Sequence, residues 1–339
     1  MTGDRGVNTT ARRRVSLVTP FYDEEAGIAV YFRRLTEALE SLARTIDFEF
    51  VCVNDGSRDR TLDALLAVTP PFGRVRVVDL SRNFGKEAAL SAGLDHATGD
   101  AVIPLDADLQ DPPELIPEMI ERWLAGAQVV LAVREDRSSD DWLKRTTAAA
   151  FYTVHNHLAA TPIPANVGDF RLMDRSVVEV VRRLPERQRF MKGLFAWAGF
   201  GGERIGYTRP PRAAGRTKTS YTKLLALATE GITSFSTAPL RAAMIFGAVF
   251  SILAMLYGGY IAVRSLVRGV DVPGYASLFV AIVFMGGIQL LCVGILGEYV
   301  GRIYMESKQR PVYVVRRVAE RVAAESTAAT PTTPRPAVD

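Results

Sequence analysis

The chain has 339 residues, and its shares of hydrophobic residues (48%) and charged residues (23%) are typical of a folded protein. Its two cysteines, Cys52 and Cys292, are too few for a disulfide framework and lack the spacing of a zinc site. The net charge of +4 suits nucleic acid, an anionic membrane or a phosphorylated substrate, so the placement of the charge has to discriminate between them.

The N-terminal residues, 1–13, are polar and are predicted to be disordered. No apolar segment of the kind that a signal peptide needs follows them. We therefore expect the soluble part of the chain to stay in the cytoplasm.

Short apolar runs alternate with helical periodicity over the first 133 residues. Strands are predicted at 15–19, 48–53, 75–80, 101–105 and 128–133, and helices at 26–43, 86–97 and 113–124. This alternation predicts an α/β fold with a mostly parallel sheet that is covered on both faces. Ligands of such sheets bind beyond the carboxyl ends of the strands, where Asp23, Asp55 and Asp106 fall. The region 142–200 is less regular, and mainly helices are predicted there.

A basic segment precedes the longest apolar runs. Between 203 and 223 one acid, Glu203, stands against six basic residues, which are Arg204, Arg209, Arg212, Arg216, Lys218 and Lys223. Residues 221–240 are amphipathic, which predicts a segment that lies in the membrane interface. Basic residues beside apolar runs favour a membrane or a phosphate as partner and disfavour nucleic acid.

Two uncharged apolar runs of 22 residues each follow, at 242–263 and 275–296. Because a hydrocarbon core of about 30 Å needs about 20 helical residues, residues 241–297 are predicted to form two transmembrane helices in a hairpin. The positive-inside rule predicts a multi-pass protein of the cell membrane, with both termini and the segment 298–322 in the cytoplasm. The tail, 323–339, is rich in Ala, Thr and Pro and is predicted to be disordered.

Two carboxylates at a predicted strand end indicate a metal site. Asp106 and Asp108 follow the run 101–105, with one residue between them. Such a pair can bind Mg²⁺ or Mn²⁺ through oxygen ligands and leave coordination positions for a diphosphate. The alternative interpretation is a solvated turn, because Asp-x-Asp alone is a common sequence.

The sequence around these carboxylates resembles a known family. The stretches that carry the resemblance are PFYDEE at 20–25, VNDGS at 53–57, SRNFGKE at 81–87 and DADLQDPPE at 106–114. Over about 15–317 the chain resembles family 2 glycosyltransferases of the GT-A fold, in the bactoprenol glucosyltransferase branch, which is close to dolichyl-phosphate mannose synthases. The resemblance implies a Rossmann-like GT-A catalytic domain at 14–220.

The resemblance also implies roles for individual residues. The residues that would bind the nucleotide sugar are Pro20, Tyr22, Asp23, Glu25, Asp55, Lys86 and Asp106. Asp106 and Asp108 would hold the metal, and Asp108 and Asp169 would be catalytic, with Asp169 in the acceptor-side stretch NVGDFRLM as the base. The residues that would bind the acceptor or its phosphate are Arg187, Arg189, Lys192, Arg212 and Lys218.

The chemistry of the acceptor leaves the role of Asp169 open. A phosphate monoester has its second pKa near 6, so it is largely dianionic at neutral pH and scarcely needs a base. Asp169 could instead orient the acceptor or a cation. A third interpretation is a loop carboxylate that is paired with Arg171.

The resemblance implies an inverting transfer of a single sugar, with glucose from UDP-glucose as the first choice, to polyprenyl (undecaprenyl or decaprenyl) phosphate at the cytoplasmic membrane face. The chain lacks the tryptophan of the Gln-x-x-Arg-Trp signature of processive synthases, which favours a single transfer. One alternative is the same reaction with GDP-mannose or a modified UDP-sugar. Another is a non-catalytic membrane scaffold for lipid-sugar export. The implied partners are the nucleotide sugar, the lipid phosphate and the membrane, without nucleic acid, and a homo-oligomer stays open.

Overall fold

The computed structural model describes residues 12–134, 167–187, 189–208, 238–268 and 274–323. Within these ranges eight strands form one sheet, and their bounds are β1 Arg14–Phe21, β2 Asp47–Asn54, β3 Arg74–Leu80, β4 Ala101–Pro104, β5 Val129–Arg134, β6 Val167–Asp174, β7 Glu203–Tyr207 and β8 Val315–Val322. The helices are α1 Ile28–Leu39, α2 Thr61–Ala67, α3 Lys86–His96, α4 Ile116–Leu124, α5 Arg175–Arg183, α6 Met191–Trp197, α7 Ala238–Arg268 and α8 Tyr275–Ser307.

The sheet has the strand order β7-β5-β6-β4-β1-β2-β3-β8. β1 pairs in parallel with β2 and β4, β2 pairs in parallel with β3, and β5 pairs in parallel with β7. β6 runs antiparallel between β4 and β5, and β8 runs antiparallel to β3. The prediction of a mostly parallel α/β sheet is confirmed, and the five predicted strands correspond to β1 through β5.

Hydrophobic clusters cover both faces of the sheet. Neighbouring residues of β1 point to opposite faces, so Leu17 packs in one cluster and Val18 in the other. A strand that is buried on both faces reads as an unbroken apolar run. On one face, α1 places Tyr31, Leu35 and Leu39 at helical spacing against the sheet.

Three strands, β6, β7 and β8, escaped the sequence analysis. β7 forms one edge of the sheet and begins at Glu203, where the sequence analysis noted only the change to a basic composition. β6 lies in the region where mainly helices were predicted, and the helices α5 and α6 follow it there. Its apolar pattern is interrupted by Gly168, Asp169 and Arg171, and its pairing with β4 and β5 is long-range. β8 has the sequence VRRVAERV and lies at the sheet edge, mostly exposed. Because charged residues dominate it, only its pairing with β3 identifies it as a strand.

α7 and α8 contain windows that are long and apolar enough to cross a membrane, at 242–268 and 281–307. Their large apolar side chains are exposed, for example Leu256 at 67% and Leu290 at 75%, and an apolar surface of this size needs a nonaqueous covering. α8 begins at Tyr275, as predicted for the second apolar run, and continues past residue 296 to Ser307. The ion pair between Arg302 and Glu298, four residues apart, supports this polar extension.

Candidate active site

The carboxyl ends of β1, β2 and β4 surround a cavity of about 280 Å³. The residues that line it are Pro20, Phe21, Tyr22, Glu24, Asp55, Asn83, Gly85, Lys86, Asp106, Ala107 and Asp108. Parallel pairing brings these strand ends to one edge of the sheet, where α/β sheets bind their ligands. Six of the predicted residues therefore line one cavity, and they are Pro20, Tyr22, Asp55, Lys86, Asp106 and Asp108.

Asp55 organises one wall of the cavity. Its Oδ1 accepts a hydrogen bond from Phe84 N at 2.7 Å, and its Oδ2 accepts from Gly85 N at 2.9 Å and from Asn83 Nδ2 at 3.0 Å. Burial raises the pKa of Asp55, although the two backbone N–H groups act in the opposite direction. The carboxylate thus shapes the loop that leads into α3, and its predicted role toward the nucleoside stays a prediction.

Gly56 lets the same loop pack against the end of β2. Its φ is +64°, and a Cβ at this position would lie 2.3 Å from the carbonyl carbon of Arg82. This close backbone approach requires glycine.

Asp23 and Glu25 are not among the described residues that line the cavity. Asp23 Oδ1 accepts a hydrogen bond from Arg58 N at 2.8 Å, and Glu25 Oε2 accepts from Arg60 N at 3.3 Å. Both carboxylates therefore fix the loop that follows β2. Their predicted contact with the nucleoside stays a prediction.

Lys86 joins carboxylates from two neighbouring strand regions. Its Nζ lies 2.6 Å from Asp106 Oδ1, just after β4, and 2.9 Å from Asp169 Oδ2 in β6. Because β4 pairs with β6, the carboxylate predicted to bind the donor and the carboxylate predicted to act on the acceptor share one ammonium group. Asp169 thus lies in a strand and binds Lys86, whereas one interpretation of the sequence placed it in a loop, paired with Arg171.

Asp169 is ionised in this arrangement. Its side chain is only 12% exposed, and burial alone would raise its pKa, but the charges of Lys86, Lys192 and Arg171 lower the pKa to about 2. Burial opposes the charged form of Lys86 as well, but Asp169 and Asp106 outweigh it and raise the pKa of Lys86. A carboxylate with a pKa of about 2 is a weak general base at neutral pH.

Two polar atoms on β6 are buried without a hydrogen-bond partner among the described residues, Asp169 Oδ1 and Arg171 Nε. Burial lowers the pKa of Arg171 to about 10, and its guanidinium lies 4.4 Å from the centroid of the Phe195 ring. Residues two apart on a strand share a face, so an acceptor and a donor stand on one side of β6. Unsatisfied buried polar atoms are rare and often mark a place where a ligand or water binds.

The chemistry of the donor set fits a divalent metal. Within the described residues no group of three or more His, Cys, Asp and Glu could hold an ion by protein ligands alone. Mg²⁺ typically takes one or two carboxylates and completes its shell with substrate phosphates and water, which is what Asp106 and Asp108 at the cavity wall allow. The Lys86 ammonium, 2.6 Å from Asp106, already places a cation beside the first of these two carboxylates.

A short basic loop reaches the site on the side of Asp169. We define the basic loop as residues 184–187 and 189–192, which connect α5 to the first turn of α6 and include its first two residues. Lys192 is close enough for its charge to lower the pKa of Asp169. Arg187 Nη1 donates to Arg310 O at 2.6 Å, and Arg189 donates to the carbonyls of Leu184 and Glu186. The structure thus brings Lys192 to the site, while the guanidinium groups of Arg187 and Arg189 are bound to backbone carbonyls.

Two family models match this chain, one in the α/β domain and one in the apolar hairpin. Residues 16–182 match the family model of glycosyl transferase family 2, and residues 238–303 match that of the GtrB C-terminal hairpin. An uncharacterized glycosyltransferase of Synechocystis is 50% identical over 301 residues, which cover 89% of this chain and 94% of the relative. A prophage bactoprenol glucosyl transferase homolog of Escherichia coli is 49% identical, with 90% of this chain and 99% of the relative covered. The bactoprenol glucosyl transferase of Shigella phage SfV is also 49% identical, over 91% and 100%.

The chain belongs to glycosyltransferase family 2. The identity extends over nearly the full length of the two bactoprenol glucosyl transferase relatives. It therefore includes the family 2 domain and the apolar hairpin together. The family resemblance of the sequence motifs is thereby confirmed, and so is the GT-A fold class.

The glycosyltransferase has a further residue beside the site, Glu87, to which the sequence analysis gave no role. Glu87 Oε2 accepts a hydrogen bond from Met191 N at 2.9 Å and so joins α3 to the basic loop. Burial and then the charge of Asp169 raise the pKa of Glu87 to about 7. Glu87 belongs to a stretch that carried the resemblance, and this was the only signal in the sequence. The predicted phosphate-binding residues Arg212 and Lys218, and the interfacial segment 221–240 up to residue 237, lie outside the described residues.

Proposed function

We propose that this glycosyltransferase transfers a single sugar, glucose from UDP-glucose in the first instance, to a polyprenyl phosphate. The observation that carries the proposal is the position of Lys86, whose one ammonium binds both Asp106 and Asp169. The donor-side metal carboxylate and the acceptor-side carboxylate are thus adjacent, as a transfer between two substrates requires. The names of the bactoprenol glucosyl transferase relatives support glucose as the sugar and a prenyl lipid as the acceptor.

The donor's diphosphate would bind at the carboxyl end of β4. Asp106 and Asp108 would hold Mg²⁺ or Mn²⁺, which supplies charge neutralisation for the departing nucleoside diphosphate. Lys86 adds a second positive charge beside Asp106, and a lysine ammonium is a common phosphate ligand. Asp55 fixes the loop from which Lys86 extends, so it positions that charge.

The acceptor's phosphate would bind beside Asp169 and Lys192. A phosphate oxygen attacks the anomeric carbon, and the bond from this carbon to the diphosphate oxygen breaks, with its electron pair leaving on the nucleoside diphosphate. A single displacement of this kind inverts the anomeric configuration. Since the attacking oxygen is already anionic and Asp169 has a pKa of about 2, Asp169 acts by holding Lys86 and orienting the acceptor.

The hairpin would hold the site at the cytoplasmic membrane surface. α8 leads into β8, which pairs with β3 in the same sheet as the catalytic strands. The chain therefore returns to the catalytic domain after the hairpin, which supports two spans with both ends on one side. The excess of basic residues at these ends supports the cytoplasmic side. A membrane-bound site raises the local concentration of a lipid acceptor.

A donor panel tests the proposal. The full chain in lipid nanodiscs is incubated with undecaprenyl phosphate, Mg²⁺ and radiolabelled UDP-glucose, UDP-galactose, UDP-N-acetylglucosamine or GDP-mannose, and label is counted in the organic phase. We expect label from UDP-glucose, and a rate of labelling lower by roughly 10²–10³ in Asp108→Asn. Label from another donor instead would reject glucose and keep the reaction class. Absence of label with every donor would favour the non-catalytic scaffold.

A further inference from the structure

The basic loop is attached at its outer end to the membrane helix α8. Glu306 Oε1, in the last turn of α8, accepts a hydrogen bond from Arg187 N at 2.9 Å. Arg187 in turn donates through Nη1 to the carbonyl of Arg310, three residues after the helix ends, at 2.6 Å. The two contacts join residues that are 119 and 123 positions apart in sequence, so they are tertiary contacts that fix the loop to the end of the hairpin.

The inner end of the same loop is attached to the catalytic domain. Glu87 Oε2 accepts from Met191 N at 2.9 Å, and the Met191 side chain is fully buried against α3. Ser91 Oγ lies 3.7 Å from Met191 Sδ and adds a second contact to α3. Lys192, which acts on Asp169, is therefore adjacent in sequence to a firmly held residue.

The loop between these two ends is braced by its own backbone contacts. The Arg189 guanidinium donates to Leu184 O at 2.9 Å through Nη2 and to Glu186 O at 3.2 Å through Nε. The loop is therefore held from both ends, by α8 at Arg187 and by α3 at Met191. Loss of the outer contact would leave Lys192 positioned from one side only.

We propose that Glu306 is a positioning residue for the lipid acceptor, because through the basic loop it helps to set the height of Lys192 above the membrane. The inference rests on the proposed function. The bilayer fixes the depth at which the phosphate of a prenyl lipid lies. It also fixes the depth of α8, because α8 contains one of the two candidate membrane spans. A loop that is bound to the end of α8 therefore keeps Lys192 at the depth of that phosphate.

The test uses full-length protein in nanodiscs with undecaprenyl phosphate. Glu306→Ala removes the acceptor of the Arg187 N–H, and we expect the KM for undecaprenyl phosphate to rise about tenfold, the effect of losing one hydrogen bond to a charged group. The KM for UDP-glucose should stay within about twofold, because the donor cavity is untouched. Glu306→Gln keeps an oxygen at the same place and should restore the acceptor KM to within about threefold of wild type.

A matched control and a short acceptor separate positioning from general damage. Glu298→Ala removes another carboxylate from α8, one whose partner is Arg302, and should leave both KM values unchanged. With a ten-carbon prenyl phosphate that the bilayer does not hold, Glu306→Ala and wild type should differ by less than about threefold. Melting temperatures of all the variants should agree within about 2 °C.

The outcomes that overturn the inference are specific. An unchanged acceptor KM in Glu306→Ala overturns it, and so does an equal rise of KM for the long and the short acceptor, since bilayer height would then be irrelevant. A Glu306→Gln variant as impaired as Glu306→Ala contradicts a role through the Arg187 N–H. Wild-type protein that glycosylates neither acceptor contradicts the proposed function itself, and this result is read from the wild type alone.

Discussion

Lys86 Nζ and Asp169 Oδ2 lie 2.9 Å apart, although 83 residues separate them in sequence. The lysine begins α3, after the loop that Asp55 organises, and the aspartate stands in β6. The same ammonium also binds Asp106. This ammonium joins the carboxylates that we assign to the donor and to the acceptor, and the prediction for Asp169 depends on it.

Removal of a carboxylate that we assign to the metal should strongly reduce transfer without unfolding the chain. Asp108→Asn keeps the shape of the side chain and removes its charge, so we expect the transfer rate to fall by roughly 10²–10³, as for the loss of one electrostatic stabiliser. EDTA should have a comparable effect on the wild type and should be reversed by Mg²⁺ or Mn²⁺. Asp63→Asn, at an exposed position in α2, is the control and should keep full activity. Full activity of the wild type in EDTA would reject the metal site.

The role of Asp169 can be read from kinetics. In Asp169→Asn the Lys86 ammonium loses a charged partner and the acceptor loses its orientation, so the acceptor KM should rise about tenfold or more. The acidic limb of the rate profile should stay near pH 6 in both proteins, because it reports the second pKa of the acceptor's phosphate, whereas Asp169 itself titrates at about 2. A variant that keeps its acceptor KM, loses 10²–10⁴ in rate and loses this limb would establish Asp169 as a general base.

Glu87 should make stability depend on pH. Its pKa is raised from 4.5 to about 7, so the folded state binds more protons than the unfolded state between these values, and stability falls as pH rises from about 4.5 to 7. Glu87→Gln keeps an oxygen for the Met191 N–H and removes the charge. Its melting temperature should exceed that of the wild type by about 2–4 °C at pH 8, and the two should converge near pH 4.5. A constant difference across this range would contradict the raised pKa.

The hairpin topology has a direct test. A reporter inserted near Val270 should be exported, whereas one fused after Asp339 should be cytoplasmic. The C-terminal fusion has to follow the complete chain, because a fusion near Pro311 would remove β8 from the sheet. A cytoplasmic signal from the insertion near Val270 would rule out two membrane spans.

The sequence predicted the donor side of the site better than the acceptor side. Asp55, Asp106 and Asp108 each follow an apolar run that forms a strand, and the ends of parallel strands meet at one edge whatever the details of packing. Lys86 entered only through the family resemblance. The contacts of Glu87 with Met191 and of Glu306 with Arg187 join residues 104 and 119 positions apart, and no local pattern encodes such pairs.

Two of the three missed strands, β6 and β8, have a related explanation. β6 carries Asp169 and Arg171 at positions where a purely structural strand would be apolar, so the site chemistry obscures its periodicity. β8 is an edge strand whose charged residues suit its exposure, and charged edges also prevent association between sheets. In both cases the pairing partner decides the structure, and the partner lies far away in sequence.

The central claim is that this enzyme converts a lipid phosphate monoester into a sugar phosphodiester. ³¹P nuclear magnetic resonance of undecaprenyl phosphate in nanodiscs, followed after addition of UDP-glucose and Mg²⁺, observes this conversion at the reacting atom. The account predicts that the monoester signal, which shifts with pH near 6, is replaced by a diester signal that does not shift, while UDP appears in equal amount. A monoester signal that persists while UDP accumulates would mean that water accepts the sugar, and it would contradict the claim.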